Sequence, residues 1–98
     1  MSRPKKVVIK KSNKEEKKMM AIFTMDSGRT RTTHFGAAGM DDYTKTRDKE
    51  QKQRYLKRHR RNENWNNPTS AGALSRWILW NKETKRASIS DYKRKFNL

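Results

Sequence analysis

The stretch KMMAIFTMDSGRTRTTHF, residues Lys18 to Phe35, decides the fold. Its first half, Met19 to Met25, is a short apolar run, and its second, Arg29 to Phe35, alternates Thr with basic residues and closes on Phe35. Thr and Phe favour extended backbone. Between the halves, Asp26 can hydrogen-bond its own turn and Gly28 can take the positive φ of a bulged loop. The pattern predicts a β-hairpin over residues 18–35.

Working outward, Gly36-Ala37-Ala38-Gly39 breaks the second strand. It is either a flexible turn or a nest of backbone amides for phosphate, and no P-loop Lys-Ser/Thr follows to favour the nest. Beyond it, a helix is expected from Thr46 or Asp48 to about Asn62, with Asp48 and Glu50 suiting its positive end and Arg60 and Arg61 the other. Its apolar stripe is thin, only Tyr55 and Leu56 with His59 one turn on. Residues 69–80 (TSAGALSRWILW) are the densest apolar stretch, with Leu74, Trp77, Ile78 and Trp80 at helical spacing and Thr69 as a natural cap after Pro68. A last helix fits residues 88–96, where Ser88 and Asp91 look like a capping box and Ile89, Tyr92 and Phe96 share a face. Upstream, residues 1–17 look like a basic flexible arm around a short strand candidate, Lys6 to Lys10. The expected fold is α+β: one small domain over residues 18–98, a hairpin followed by three α-helices, behind a basic arm.

Composition bounds what such a chain does. Ninety-eight residues carry 26 Lys plus Arg against 10 Asp plus Glu, a net charge of +16, with 31% hydrophobic residues and a mean hydropathy of −1.36. The core must therefore be small. Cysteine is absent, which excludes disulfides and Cys-based metal sites. No apolar run approaches the roughly 20 residues of a membrane span. Val7-Val8-Ile9 is too short for a signal core, so no membrane insertion is expected and an intracellular soluble chain is.

The charge is unevenly placed. Residues 1–18 carry +6, 45–61 carry +7 and 82–98 carry +4, while 19–44 and 62–81 are nearly neutral and hold most of the larger apolar side chains. In the basic helix nine cations lie within 17 residues beside two anions. Like charges three or four apart repel by a few tenths of a kcal/mol per pair, so a helix that keeps them is expected to meet compensating anions. The candidate nucleic-acid-binding residues are Lys49, Lys52, Arg54, Lys57, Arg58, Arg60 and Arg61 on the helix, and Lys5, Lys6, Lys10 and Lys11 in the arm. No helix-turn-helix, zinc finger or RNP motif is present to read bases, so contacts to the phosphate backbone are expected.

Other readings weaken on inspection. His59-Arg60-Arg61-Asn62-Glu63 has the outward form of a metal-dependent nuclease motif, but its His sits where a divalent cation is repelled. Asp41-Asp42 suits the end of a loop better than a metal site. No catalytic residue, metal ligand or cofactor is indicated. Trp77 and Trp80 read as core. Trp65, among Asn62, Asn64, Asn66 and Asn67, either seals the core or stacks on a base or partner. Arg76 beside Trp77 is expected to pair with an Asp or Glu.

His34-Phe35-Gly36, Gly39-Met40, Asp42-Tyr43-Thr44, Tyr55, Arg58-His59, Glu63-Asn64-Trp65, Ala71-Gly72, Ser75 to Asn81 and Ala87 to Phe96 occur in this order over about two-thirds of the chain. In this the sequence resembles a family of small basic proteins encoded by giant viruses, the nucleocytoplasmic large DNA viruses. The arm lies outside the resemblance. It implies a viral protein, located in the virion or in the viral factory in host cytoplasm or nucleus, and it implies no enzyme activity. Two partners follow: nucleic acid, above all double-stranded DNA, in genome packaging, or acidic capsid proteins met by a minor capsid or cement protein. An RNA- or ribosome-associated role is a third, weaker reading.

Overall fold

In the computed structural model, which describes residues 3–98, Lys18 to Phe35 forms the central strand and one edge of a three-stranded antiparallel sheet. Strand β2 (Lys17–Met25) pairs with β3 (Thr30–Ala37), Met19 opposite Phe35 and Phe23 opposite Arg31. Gly28 turns the chain at φ 89°, as the Asp-Ser-Gly chemistry requires. The sheet's third member is β1 (Pro4–Lys11), bound along the other edge of β2 with Val7 opposite Phe23 and Ile9 opposite Ala21. The stretch read as an arm around Lys6 to Lys10 is therefore an edge strand from Pro4 onward; the first two residues of that reading lie outside the described residues. Pairing with β2 engages the backbone groups along one side of the strand, and Val7 and Ile9 supply an inward face.

One face of the sheet is covered. Val7, Met19, Ala21, Phe23, Met25 and Phe35 point into the core, against Leu74, Ile78, Leu79, Trp80 and Tyr92 from the helices. The other face is open: Lys6, Lys10 and Thr32 are exposed on it, and Val8 is 58% exposed.

After Gly36 and Gly39, both at positive φ, a short helix α1 (Tyr43–Thr46) stops at Arg47, itself left-handed at φ 55°. The basic helix, α2, then runs Lys49–His59, three residues shorter at each end than the expected 46–62. Asp48 caps it, accepting from the amides of Glu50 and Gln51. Arg60 and Arg61 thus lie beyond its regular turns. The expected 69–80 helix is a four-residue α3 (Ala71–Leu74) continued by a π-helical turn, Ser75–Leu79, whose wide bond runs from Trp80 N–H to Ser75 C=O at 3.1 Å. Its cap is Ser70 rather than Thr69, which is buried and bonds Asn67 instead.

The last helix, α4 (Lys85–Phe96), begins three residues before the expected Ser88, capped by Thr84. Ser88 is not a cap: it is fully buried within the helix, where its Oγ accepts from Lys82 N–H. Asp91 likewise turns away to accept from Asn81. The shared face of Ile89, Tyr92 and Phe96 does pack on the core.

Candidate nucleic-acid interface

Tyr55 fixes α2 to the rest of the molecule. Its ring is stacked on Trp80 at 4.3 Å between centroids and 7° between planes, with His59 stacked on its other side at 4.2 Å. Burial, then the charge of Glu63, raises the Tyr55 hydroxyl's pKa, so it stays neutral. With the helix held along this single stripe, its cations fall on two flanks. Lys49, Lys52, Lys57 and Arg60 follow one face with Gln53 and Leu56, lining a cleft of about 570 Å³ whose far wall is Tyr43 and Arg76. Arg54 and Arg58 fall on the other flank, beside Met40, Asp41 and the Tyr55–Trp80 stack. Arg61 is exposed past the helix end.

The β1 cations do not join either flank. Lys6 and Lys10 stand on the open sheet face, away from the helices, and Lys5 is exposed near the start of the strand. Lys11 borders a concavity at the far end of β1, with Lys14, Lys17, Lys45 and Lys85. Within it, Lys18 Nζ donates to Asp42 Oδ2 at 2.6 Å, and Thr44 Oγ1 donates to the other carboxylate oxygen. Burial alone would raise the Asp42 carboxyl, but these bonds and the Lys18 charge outweigh it and hold its pKa below the usual range. Sequence reasoning did not foresee this pair; the two residues are 24 apart and nothing local links them.

Arg76 was expected to find a carboxylate. Instead Nη1 donates to Trp80 C=O at 2.9 Å, and the guanidinium lies 4.2 Å from the Trp77 ring and 5.3 Å from the Trp65 ring. The indoles take the place of an anion, as the negative face of an aromatic ring can. Lys52 has a parallel role, its Nζ donating to Asn81 C=O at 2.7 Å while lying over the Tyr43 ring. Both cations thereby close carbonyls at the end of the π turn.

Trp65 is turned inward. Its Nε1 donates to Glu63 Oε2 at 3.0 Å and its carbonyl accepts from Trp77 Nε1 at 2.9 Å. Trp77 is half-buried rather than core, with Lys95 over its ring, whereas Trp80 is buried. Glu63 is spoken for: His59 Nδ1 lies 2.7 Å from Oε1, and Gly72 presses so close that a Cβ there would fall 2.6 Å from Oε2. Among the described residues no three His, Asp or Glu side chains converge to hold a metal. Within Gly36–Gly39 the Ala38 N–H already donates to Glu16 C=O, and the Met40 N–H just after it donates to Ala37 C=O. No helix of the described residues is long and apolar enough to cross a membrane.

Residues 7–59, more than half the chain, match the model of a family of unknown function, DUF5754, and the chain belongs to that family. The matched segment runs from within β1 to the end of α2, so it takes in the sheet and the basic helix together. No curated protein and no solved structure matches the chain.

Proposed function

We propose that this member of the DUF5754 family is a non-enzymatic protein that binds nucleic acid, above all double-stranded DNA, through the phosphate backbone and without sequence specificity. One observation carries the reading. From Gln51 to Asn62 the chain has six cations and no acidic residue, and the fold spreads five of them over two flanks of α2 and its end, with Arg61 exposed beyond, while Tyr55 stacks the helix on the core. Such a helix repels itself unless phosphates lie beside it, and each Lys or Arg that meets a phosphate releases a counterion. The lysines of β1, which stand apart from α2, supply a second, weaker set of contacts. In the viral setting suggested by the sequence resemblance, the activity is to condense or package a large DNA genome, in the virion or the viral factory.

Fluorescence anisotropy with unrelated duplexes over a salt series tests this. About micromolar binding at low salt, with log Kd steep in log salt and indifferent to sequence, is expected. Absence of binding at low salt refutes it.

A second reading has its own observation. The open sheet face, with Val8 58% exposed between Lys6 and Lys10, offers an apolar and basic surface for an acidic capsid protein, as a minor capsid or cement protein would. Separating virions into shell and nucleoid distinguishes the two: recovery with the shell favours this reading, and recovery with DNA the first.

A further inference from the structure

The cleft between α2 and the π turn has a property that general basicity does not explain. Five cations line it, Lys49, Lys52, Lys57, Arg60 and Arg76, and no carboxylate does. Its volume, about 570 Å³, lies in the range of small-ligand clefts. Two of the five are held in place before any ligand arrives. Lys52 is tied to Asn81 C=O, and Arg76 is tied to Trp80 C=O and stacked against Trp77.

Each of these heads spends only part of its donor capacity. An ammonium has three N–H donors and a guanidinium five, so one bond apiece leaves most of them available. Arg76 Nε is buried without a hydrogen-bond partner. Such an atom costs free energy unless something reaches it. Aromatic faces, not a carboxylate, meet these charges, and burial, then Arg76, Lys82 and Lys49, push the Lys52 ammonium below its ordinary pKa. Asp91 is close enough for its charge to act on Arg76, yet its carboxylate accepts from Asn81 and Arg94 and does not line the cleft.

We propose that this cleft is a pre-formed seat for a single phosphate group, gripped by Lys52 and Arg76 from within and by Lys49, Lys57 and Arg60 at the rim. On the nucleic-acid reading, on which only the source of the phosphate rests, the occupant is a backbone phosphate, and α2 docks through one fixed point rather than a diffuse charge cloud. A free polyphosphate has the same chemistry and serves as the probe.

Pyrophosphate is titrated into the full chain while the backbone amide and tryptophan indole N–H signals are followed by NMR. Saturable shifts confined to α2, Tyr43, Trp65, Trp77 and residues 76–81 are expected. The double variant Lys57→Gln/Arg60→Gln, exposed at the rim, should weaken pyrophosphate at least tenfold. Lys6→Gln/Lys10→Gln removes the same charge from the open sheet face and should change it less than twofold. Lys52→Gln should abolish saturation while its melting shows a folded chain; should it fail to fold, the rim variant decides. Equal loss in the two double variants, or shifts that spread without saturating, overturns the seat. Competition by an unrelated duplex for the same signals identifies the backbone phosphate as occupant. Saturable pyrophosphate binding by a chain that ignores duplex DNA upholds the seat and removes the nucleic-acid reading.

Discussion

Asp42→Asn isolates a buried ion pair that ties the sheet to the loop entering α1. The Asp42 side chain is 3% exposed and that of Lys18 15%, at 2.6 Å. Asn keeps the shape and can still accept from Thr44, but it leaves Lys18 facing a neutral amide. Breaking a buried pair from one side costs about 3–5 kcal/mol, and losing a hydrogen bond to a charged group about 1.5–3. Lys18 retains some access to water, so the lower part of that span applies, about 3 kcal/mol. For a chain of this size 1 kcal/mol moves Tm by roughly 4–8 °C, giving a fall of about 12–24 °C. The pH dependence has a definite sign. The Asp42 carboxyl titrates below its ordinary 3.8 in the folded chain, so its contribution is complete above 3.8 and is lost as pH falls through the lower folded value. Thermal melts of both proteins at neutral pH should differ by the full amount, and the difference should shrink progressively as the pH falls below 3.8. Replacing both partners, Lys18→Met with Asp42→Leu, should cost less than either single change, because no unpaired charge remains. A deficit under 1 kcal/mol at neutral pH, or an equal deficit in acid, refutes the assignment.

The quadruple variant Arg54→Gln, Lys57→Gln, Arg58→Gln, Arg61→Gln should fold as the wild type, since none is buried and Gln is a comparable helix former; its salt slope for duplex binding should fall by up to about 0.9 for each phosphate that is no longer neutralised. Early melting would show that these cations hold the fold, and an unchanged slope would move the interface to β1. Gly36→Ala should cost about 2–4 kcal/mol in urea unfolding, because φ is 78° and the new Cβ falls 2.6 Å from Leu79 Cδ1, whereas Gly28→Ala at φ 89° in open space should cost only about 1–2. Trp80→Ala should cost about 3–5 kcal/mol, losing a buried indole and the Tyr55 stack, and half-buried Trp77→Ala should cost clearly less; the reverse order by chemical denaturation would contradict the packing.

The hairpin was legible because its causes are local: an apolar run, Asp-Ser-Gly, then Thr-rich extended backbone. Strand β1 was half-seen for the opposite reason. Its pairing depends on an edge of β2 about fifteen residues away, and its outward Lys6 and Lys10 give it the composition of a tail. Ser88 misled as a cap because Ser followed by Asp three residues on has the same form whether it starts a helix or sits inside one. Only the fold shows that its hydroxyl is needed by Lys82. The π turn and the inward role of Trp65 follow from how the indoles pack, which no spacing rule contains. For the interface, the cations could be counted but not divided. Tyr55 fixes the rotation of α2, and that rotation sets which lysines meet Arg76.

This rotation has a thermodynamic consequence that separates a seat from a charged surface. Lys52 reaches across from α2 to the Asn81 carbonyl, and Arg76 closes the Trp80 carbonyl within the π turn, so the first of the groups proposed to grip phosphate also fastens α2 to the turn that the second one braces. An anion between them relieves the repulsion from Lys49 and Lys82 and tightens that fastening only in the folded chain. A ligand bound only by the native state stabilises it by about 2.7 kcal/mol at one hundred times its Kd. Pyrophosphate at that level should therefore raise Tm by roughly 11–22 °C, and the Lys57→Gln/Arg60→Gln variant should need far more ligand for the same rise. Potassium chloride at matched ionic strength screens every surface charge alike and should give a much smaller shift. Equal shifts from the two salts would mean that the cleft is only one part of a diffuse positive field, with no seat inside it.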